Sequence, residues 1–306
     1  MTRSPSEVWS RYWSSGARGT GGGCLPNAVG PVEAAQRQVW QDFARRLPSG
    51  SRVLDLGTGN GIVLRWMAAV RRDLKLVGVD SAASLPPAPK GVTLKAGVGV
   101  ERLPFAEASF GGATSQFGIE YGDVAAAGAE LVRILRPGAP LLMIVHHGAS
   151  WIVAHNRARR AALLWAAGPD GWLVRAKAFA CAGGALPVPA SFRAAPAEAQ
   201  RRFPDQPVAA EFAVGIVQRL ELVRSRGGTE VVGLLEAMAE EADGEIARIA
   251  LLEDAARDEA GAAALVETLA AAGLAMDAPS VLPDRQAGRP LAWLLSGRAS
   301  GPGTSR

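Results

Sequence analysis

The sequence predicts an α/β protein, a doubly wound and mostly parallel seven-stranded sheet with a helical insertion. Two observations lead to this prediction. Short continuous apolar runs alternate with helix-like segments through the first half of the chain, as in a parallel sheet covered on both faces. Beyond about residue 149 the pattern changes to successive helices without strands between them, and two further strand candidates follow near the carboxyl end.

The first helix of the sheet domain is amphipathic. Residues 33–46 place Val39, Trp40 and Phe43 at helical spacing, and the Pro-Ser-Gly sequence at 48–50 ends the helix. The strand candidates are 53–56, 76–79, 92–96, 112–116, 141–145, 280–282 and 291–295, with helices between the first five at 61–70 and 124–135.

This pattern divides the chain into distinct segments. They are an N-terminal aromatic segment or lid (1–32), a core domain (33–148 and 255–297), a helical insertion (149–254) and a disordered tail (298–306). Because insertions at strand ends shape the pockets of such folds, we expect substrate specificity to depend on the insertion.

Composition excludes several classes of protein. The chain has 306 residues, and its 33 basic residues exceed its 29 acidic ones by only four and are scattered, which argues against a nucleic-acid partner. The run at 141–145 is too short for a membrane helix, and the run at 262–276 contains Glu267. With two cysteines, Cys24 and Cys181, and no apolar signal sequence, we expect a cytoplasmic protein without a disulfide framework.

A glycine-rich turn, V-L-D-L-G-T-G-N-G at 53–61, follows the first strand. Gly57, Gly59 and Gly61 let backbone N–H groups approach a ligand closely at the start of a helix. The spacing is not the G-x-G-x-x-G of dinucleotide enzymes, and no G-K-[ST] follows it. Asp55 would repel a phosphate but suits a ligand that carries an ammonium group.

This turn resembles the first motif of class I S-adenosylmethionine-dependent methyltransferases, and four later segments agree with that family in order. They are L-V-G-V-D ending at Asp80, G-V-E-R-L-P-F (99–105) with A-S-F (108–110), the helix–turn–strand at 131–145, and the last strand at 290–297. The resemblance covers about residues 33–147 and 255–297. It implies a Rossmann-like methyltransferase fold with S-adenosylmethionine as the cofactor.

The resemblance also implies a set of cofactor-binding residues. Asp80 is expected to bind the ribose hydroxyls, a bidentate role that suits a carboxylate. The acid that the family often has after the third strand is Gly99 here, so contact with adenine passes to the backbone of Gly99 and Val100 or to Glu101. The full set is Asp55, Gly57, Thr58, Gly59, Gly61, Asp80, Ser81, Gly99, Val100, Glu101, Ser115 and Gln116.

Residues after the fourth and fifth strands are expected at the substrate mouth, because ligands of doubly wound sheets bind at the carboxyl ends of strands. His146 and His147 are the candidates for a catalytic base, although a core histidine and a solvated strand end are the commoner roles. Glu120 and Tyr121 either bind a polar group of the substrate or cap the next helix. His155 follows without a nearby acid, so we predict no metal site.

The segment W-S-R-Y-W-S-S-G at 9–16 is rich in aromatic residues. Tyr12 and Trp13 either cover the site as a lid that excludes water or pack on the sheet within a helix.

We therefore predict methyl transfer to an oxygen or nitrogen of a small molecule. The absence of an N/D-P-P-Y/F segment argues against methylation of nucleic-acid bases. Two alternatives stay open: an RNA or protein methyltransferase, and a non-catalytic cofactor-binding protein that acts through its insertion. The sequence predicts no oligomeric state.

Overall fold

The computed structural model describes residues 4–14, 30–183, 187–284 and 288–300. The chain forms two compact units, Met1–Val153 with Leu251–Arg306, and Ala154–Ala250. The first unit contains the sheet, and the second is helical. The predicted insertion, 149–254, brackets the helical unit.

The sheet has eight strands in the described residues. They are β1 (Arg52–Leu56), β2 (Lys75–Val79), β3 (Val92–Lys95), β4 (Gly112–Gln116), β5 (Pro140–His146), β6 (Leu274–Met276), β7 (Ser280–Asp284) and β8 (Arg289–Ala299). The order is β3-β2-β1-β4-β5-β8-β6, with β7 also paired to β8. β1 to β5 are parallel, and β8 runs antiparallel to its three partners.

The mostly parallel, doubly wound prediction is confirmed, and β6 is an addition to it. Three residues are too few to show a strand period, so the sequence pattern passes over β6. The tail prediction needs a correction, because Arg298 and Ala299 belong to β8 and pair with Pro140 and Leu274. Residues 301–306 lie outside the described part of the chain, as do residues 15–29 of the predicted N-terminal segment.

Helices cover both faces of the sheet. Those of the first unit are α1 (Pro5–Ser14), α2 (Gly30–Arg46), α3 (Ile62–Ala68), α4 (Val124–Ile134) and α11 (Glu259–Ala271), with a 3₁₀ turn at Ile119–Tyr121. Leu54 of β1 packs in one apolar cluster with α4 and α11, and Val53 packs in another with α2 and α3. Successive strand residues point to opposite faces, which explains why β2 and β5 are almost continuously apolar.

The second unit has its own apolar core. Six helices lie wholly or mostly in this unit: α5 (Trp151–Ala167), α6 (Trp172–Cys181), α7 (Ala190–Arg202), α8 (Pro207–Glu221), α9 (Val223–Arg226) and α10 (Gly228–Ala255). Trp165 packs against Trp172 and Phe203, with ring centroids 6.2 and 5.8 Å apart, and Phe192 packs against Phe179 at 5.8 Å. These rings therefore contribute to the core of the unit.

None of the helices in the described segments is long and apolar enough to cross a membrane.

Candidate functional site

The glycine turn joins β1 to α3 in a conformation that side chains disfavour. Gly57, Gly59 and Gly61 have φ angles of 64°, 51° and 72°, in the left-handed region. A Cβ on Gly57 would lie only 2.7 Å from the Cα of Gly118, which belongs to the loop after β4. The alternating glycines are thus required both by the backbone and by the close approach of a neighbouring loop.

Asp80, at the end of β2, holds the glycine turn in place. Its Oδ2 accepts a hydrogen bond from the Gly59 N–H at 2.9 Å, and its Oδ1 accepts one from the Ala82 N–H at 2.9 Å. The residue is 7% exposed, and burial raises its pKa. Each carboxylate oxygen retains a second lone pair, so Asp80 can still accept bonds from a ligand.

Asp55, at the end of β1, is held by two threonine hydroxyls. Thr58 donates to its Oδ2 and Thr114 to its Oδ1, each at 2.7 Å. The residue is 1% exposed, and burial raises the pKa of the carboxyl to about 7, against the opposing effect of the two hydroxyls. Asp55 therefore connects the glycine turn to β4.

A cavity of about 310 Å³ opens at the carboxyl ends of β1, β2 and β4, within the first unit. Ten of the predicted cofactor residues line it: Asp55, Gly57, Thr58, Gly59, Asp80, Ser81, Gly99, Val100, Glu101 and Gln116. Gly61 instead begins α3, and Ser115 is fully buried, with its Oγ donating to Leu56 O and accepting from Ile119 N–H. The structure thus brings most of the predicted set to one cavity.

Helix α1 forms one wall of this cavity. Two hydrogen bonds join α1 to Ser81 and Ala83, which lie in the loop after β2. Ser6 Oγ donates to Ser81 O at 2.8 Å, and Ala83 N–H donates to Ser10 Oγ at 2.8 Å. The Trp13 ring packs so closely on Gly59 that a Cβ there would overlap the indole.

The aromatic residues of α1 have different roles. Trp9 and Trp13 line the cavity, one helical turn apart. Tyr12 does not line it and packs edge-on against both, with centroid distances of 5.8 and 4.9 Å. Sequence reasoning named Tyr12 and Trp13 and missed Trp9, although helical spacing from Trp13 could have found it.

Phe117 and Tyr121 line the cavity after β4. Phe117 has a φ of 53°, a left-handed conformation that is unusual for a residue with a side chain, and its N–H donates to Ile144 O at 2.8 Å. Tyr121 meets Trp9 edge-on, with ring centroids 5.3 Å apart. The post-β4 loop and α1 therefore bring aromatic rings into contact at the cavity.

Glu120 and His146 form a buried pair beside this loop. The His146 Nδ1 lies 2.8 Å from Glu120 Oε1, which also accepts the His146 backbone N–H at 3.1 Å. An oxygen that already accepts from a backbone donor favours a proton on Nδ1, and in the neutral imidazole the lone pair then lies on Nε2. Neither residue lines the cavity, but the rings of Phe117 and Tyr121 lie against the imidazole at 4.1 and 5.8 Å.

His147 has a different environment from its neighbour. Its ring stacks on Trp293, with centroids 4.4 Å apart and planes 14° from parallel, and its Nδ1 accepts the Ala149 N–H at 3.1 Å. The proton is thereby assigned to Nε2, and burial lowers the pKa of the imidazole. His147 does not line the cavity, so this geometry favours its structural role at the end of β5.

The region from β1 to β5 matches a known family. Residues 54–143, which include the glycine turn and Asp80, match the sequence model of a family described as a methyltransferase domain. This match assigns residues 54–143 to a methyltransferase domain. No curated protein matches the chain by sequence.

The chain is also similar to solved structures at low sequence identity. The YcgJ protein of Bacillus subtilis is 21% identical over 42% of this chain and 59% of its own length, with a TM-score of 0.35. A chain from the complex of the Haloferax volcanii Trm112 methyltransferase activator with a methyltransferase is 14% identical over 98% and 100%, with a TM-score of 0.48. Geranyl diphosphate C-methyltransferase of Streptomyces coelicolor A3(2) is 18% identical over 37% and 45%, with a TM-score of 0.32.

The cavity of the methyltransferase domain fits S-adenosylmethionine, the cofactor of this family. Asp80 retains acceptor positions for a ribose diol, and the glycine turn offers a backbone without side chains. In the described ranges, no three His, Cys, Asp or Glu residues are grouped to hold a metal ion.

Proposed function

We propose that the chain is an S-adenosylmethionine-dependent methyltransferase that acts on an oxygen or nitrogen of a small molecule. One observation carries the proposal: a single cavity of about 310 Å³ combines the glycine turn and Asp80 with a wall formed by α1. The wall limits the space for an acceptor, which favours a small molecule over RNA or a protein.

Different residues of the cavity would bind different parts of the cofactor. The S-adenosylmethionine sulfonium supplies an electrophilic methyl group. Asp80 would bind the ribose hydroxyls, Asp55 and the glycine turn would face the amino-acid end, and Gly99, Val100 and Glu101 would contact adenine. Their role is chiefly to orient the methyl group toward the acceptor, since methyl transfer depends on an in-line approach.

The acceptor would bind beside Phe117 and Tyr121. An oxygen or nitrogen acceptor gives up a proton during transfer, and a side chain or water must accept it. His146 is the candidate for that role because its Nδ1 lies 2.8 Å from Glu120 Oε1, an arrangement that in the neutral imidazole places the lone pair on Nε2. Phe117, which lines the cavity and packs on His146, would have to shift for direct contact.

The cofactor proposal is tested by titration calorimetry with S-adenosylmethionine. We expect the wild type to bind, and Asp80→Ala to lose at least about tenfold in affinity because it removes the ribose acceptor and an anchor of the turn. Asp73→Ala is the matched control, since Asp73 is a surface acid at the opposite end of β2. A wild type that does not bind would refute the proposal.

The acceptor class is tested with methyl-labelled cofactor and a cell extract separated into small-molecule, RNA and protein fractions. We expect label in the small-molecule fraction, and a decrease of roughly 10²- to 10⁴-fold in kcat for His146→Gln if it is the base. Label confined to RNA or protein would establish the alternative class, and no label in any fraction would favour the non-catalytic alternative.

A further inference from the structure

The cavity has a charge character opposite to that of the chain. Three carboxylates line it, those of Asp55, Asp80 and Glu101, and none of the described lining residues is Lys, Arg or His. The chain as a whole carries an excess of basic residues, 33 against 29. A cavity whose described lining has acidic but no basic side chains therefore favours a ligand with positive charge.

The buried acids are already engaged by the protein. Both oxygens of Asp55 accept threonine hydroxyls, and both oxygens of Asp80 accept backbone N–H groups. Apart from the exposed Glu101, the rest of the polar lining is neutral, and four aromatic residues also line the cavity: Trp9, Trp13, Phe117 and Tyr121.

Those rings come from two segments that are far apart in sequence. Trp9 on α1 and Tyr121 after β4 both line the cavity, and their rings meet edge-on at 5.3 Å with planes 82° apart. The hydrogen bonds of Ser6 and Ser10 to the loop after β2 hold α1, and hence Trp9, in position. The face of an aromatic ring attracts a cation, most strongly where water is excluded.

Resting on the proposed function, we propose that Trp9 and Tyr121 recognise the sulfonium charge of S-adenosylmethionine and make the cavity selective for the cofactor over its demethylated product. S-adenosylmethionine has a sulfonium, an ammonium and a carboxylate, so it carries one net positive charge. S-adenosylhomocysteine lacks the sulfonium charge and is neutral overall.

Aromatic rings suit this role chemically. A carboxylate placed beside the sulfonium would be a nucleophile toward the methyl group, whereas a ring face attracts the charge without offering such a lone pair. On transfer, the acceptor lone pair forms the new bond to the methyl carbon and the electrons of the S–C bond return to sulfur. The charge that the rings recognise is thereby removed, which lowers the affinity for the product.

The test compares affinities for three ligands by titration calorimetry: S-adenosylmethionine, S-adenosylhomocysteine and sinefungin, which carries an amine in place of the sulfonium. We expect the wild type to prefer the two cationic ligands. Trp9→Leu and Tyr121→Leu should each lose about 3- to 30-fold in affinity for them, and about twofold or less for the neutral product. Trp9→Phe and Tyr121→Phe, which keep a ring, should retain most of the preference.

Phe105→Leu is the control for loss of an aromatic ring, since Phe105 packs against Phe110 outside the cavity. Thermal unfolding of each variant checks that it is folded. Equal losses for charged and neutral ligands in both Leu variants would overturn the inference, because the rings would then supply only apolar surface. A wild type that binds none of the three ligands would instead refute the proposed function.

Discussion

At the residue scale, the buried carboxyl of Asp55 is expected to lower the stability of the fold near neutral pH while favouring ligand binding. Burial raises its pKa from 3.8 to about 7, so between these values the folded protein keeps a proton that the unfolded chain releases. The free energy of unfolding therefore falls as pH rises from about 4 to 7, by an amount on the order of 4 kcal/mol.

Asp55→Asn should separate the two effects. The amide cannot ionise, so the variant should be more stable than the wild type, by more at pH 8 than at pH 5.5, as measured by urea unfolding. Its affinity for S-adenosylmethionine should fall by about tenfold or more, because a neutral amide does not attract an ammonium group as a carboxylate does.

Asp73→Asn provides a comparison of opposite sign. Hydrogen bonds from Arg71 and the Gly50 backbone hold the pKa of Asp73 well below its usual range, so its stabilising effect is present near neutral pH and is lost as the carboxyl protonates in acid. This variant should be less stable than the wild type at pH 8. A loss of stability for Asp55→Asn at pH 8 would contradict our account of the buried carboxyl.

Gly59→Ala should reduce stability for two reasons. Its φ of 51° strains any side chain, and the new Cβ would overlap the Trp13 ring. We expect a loss of about 1–3 kcal/mol in the free energy of unfolding. Trp13→Ala in the same chain should remove the overlap but leave the strain, so a double-mutant cycle should show coupling. Strictly additive effects would mean that the two residues are not in contact.

At the element scale, the sequence pattern predicted strands and turns that depend on neighbouring residues. β1, β2 and β5 follow from apolar runs, and the turn between β1 and α3 follows from its glycines. Adjacent strand residues point to opposite faces, so the sequence indicated different environments for His146 and His147, a core position and a strand end. Their partners could not be predicted, because these are distant in sequence. Glu120 assigns one tautomer, whereas Trp293 and the Ala149 N–H define the environment of the other.

Helix α1 provides a prediction at this scale. Removing both hydroxyls that anchor it, in Ser6→Ala/Ser10→Ala, should weaken its docking and speed cofactor dissociation severalfold. Hydrogen exchange at the Ala83 amide should also become faster, which mass spectrometry can measure. Ser14→Ala is the control, because the Ser14 hydroxyl donates within the helix, to Ser10 O. Unchanged exchange at Ala83 in the double variant would show that α1 does not depend on these bonds.

At the scale of the whole molecule, the cavity belongs to one unit. Its lining residues all lie before residue 123, within the first unit. Val153 and Leu252, which flank the helical unit in the chain, share an apolar cluster with Trp40. The first unit therefore contains every described residue that lines the cavity.

Replacing residues 154–250 with a short Gly/Ser linker should leave a folded protein that binds S-adenosylmethionine within about threefold of the full chain, since the lining is complete. Circular dichroism and calorimetry measure the two properties. If the helical unit determines the acceptor, labelled transfer to the small-molecule fraction should be lost. A shortened chain that is folded but does not bind the cofactor would show that the first unit depends on the second.

The order in which the strands occur in the chain has a consequence for synthesis on the ribosome. β8 pairs with β5 along seven residues, yet about 140 residues separate them in the sequence, and the helical unit is made in between. A nascent chain must therefore expose the edge of β5 until β8 has been synthesised. Exposed strand edges promote aggregation, so we expect the nascent chain to depend most on chaperones during this interval.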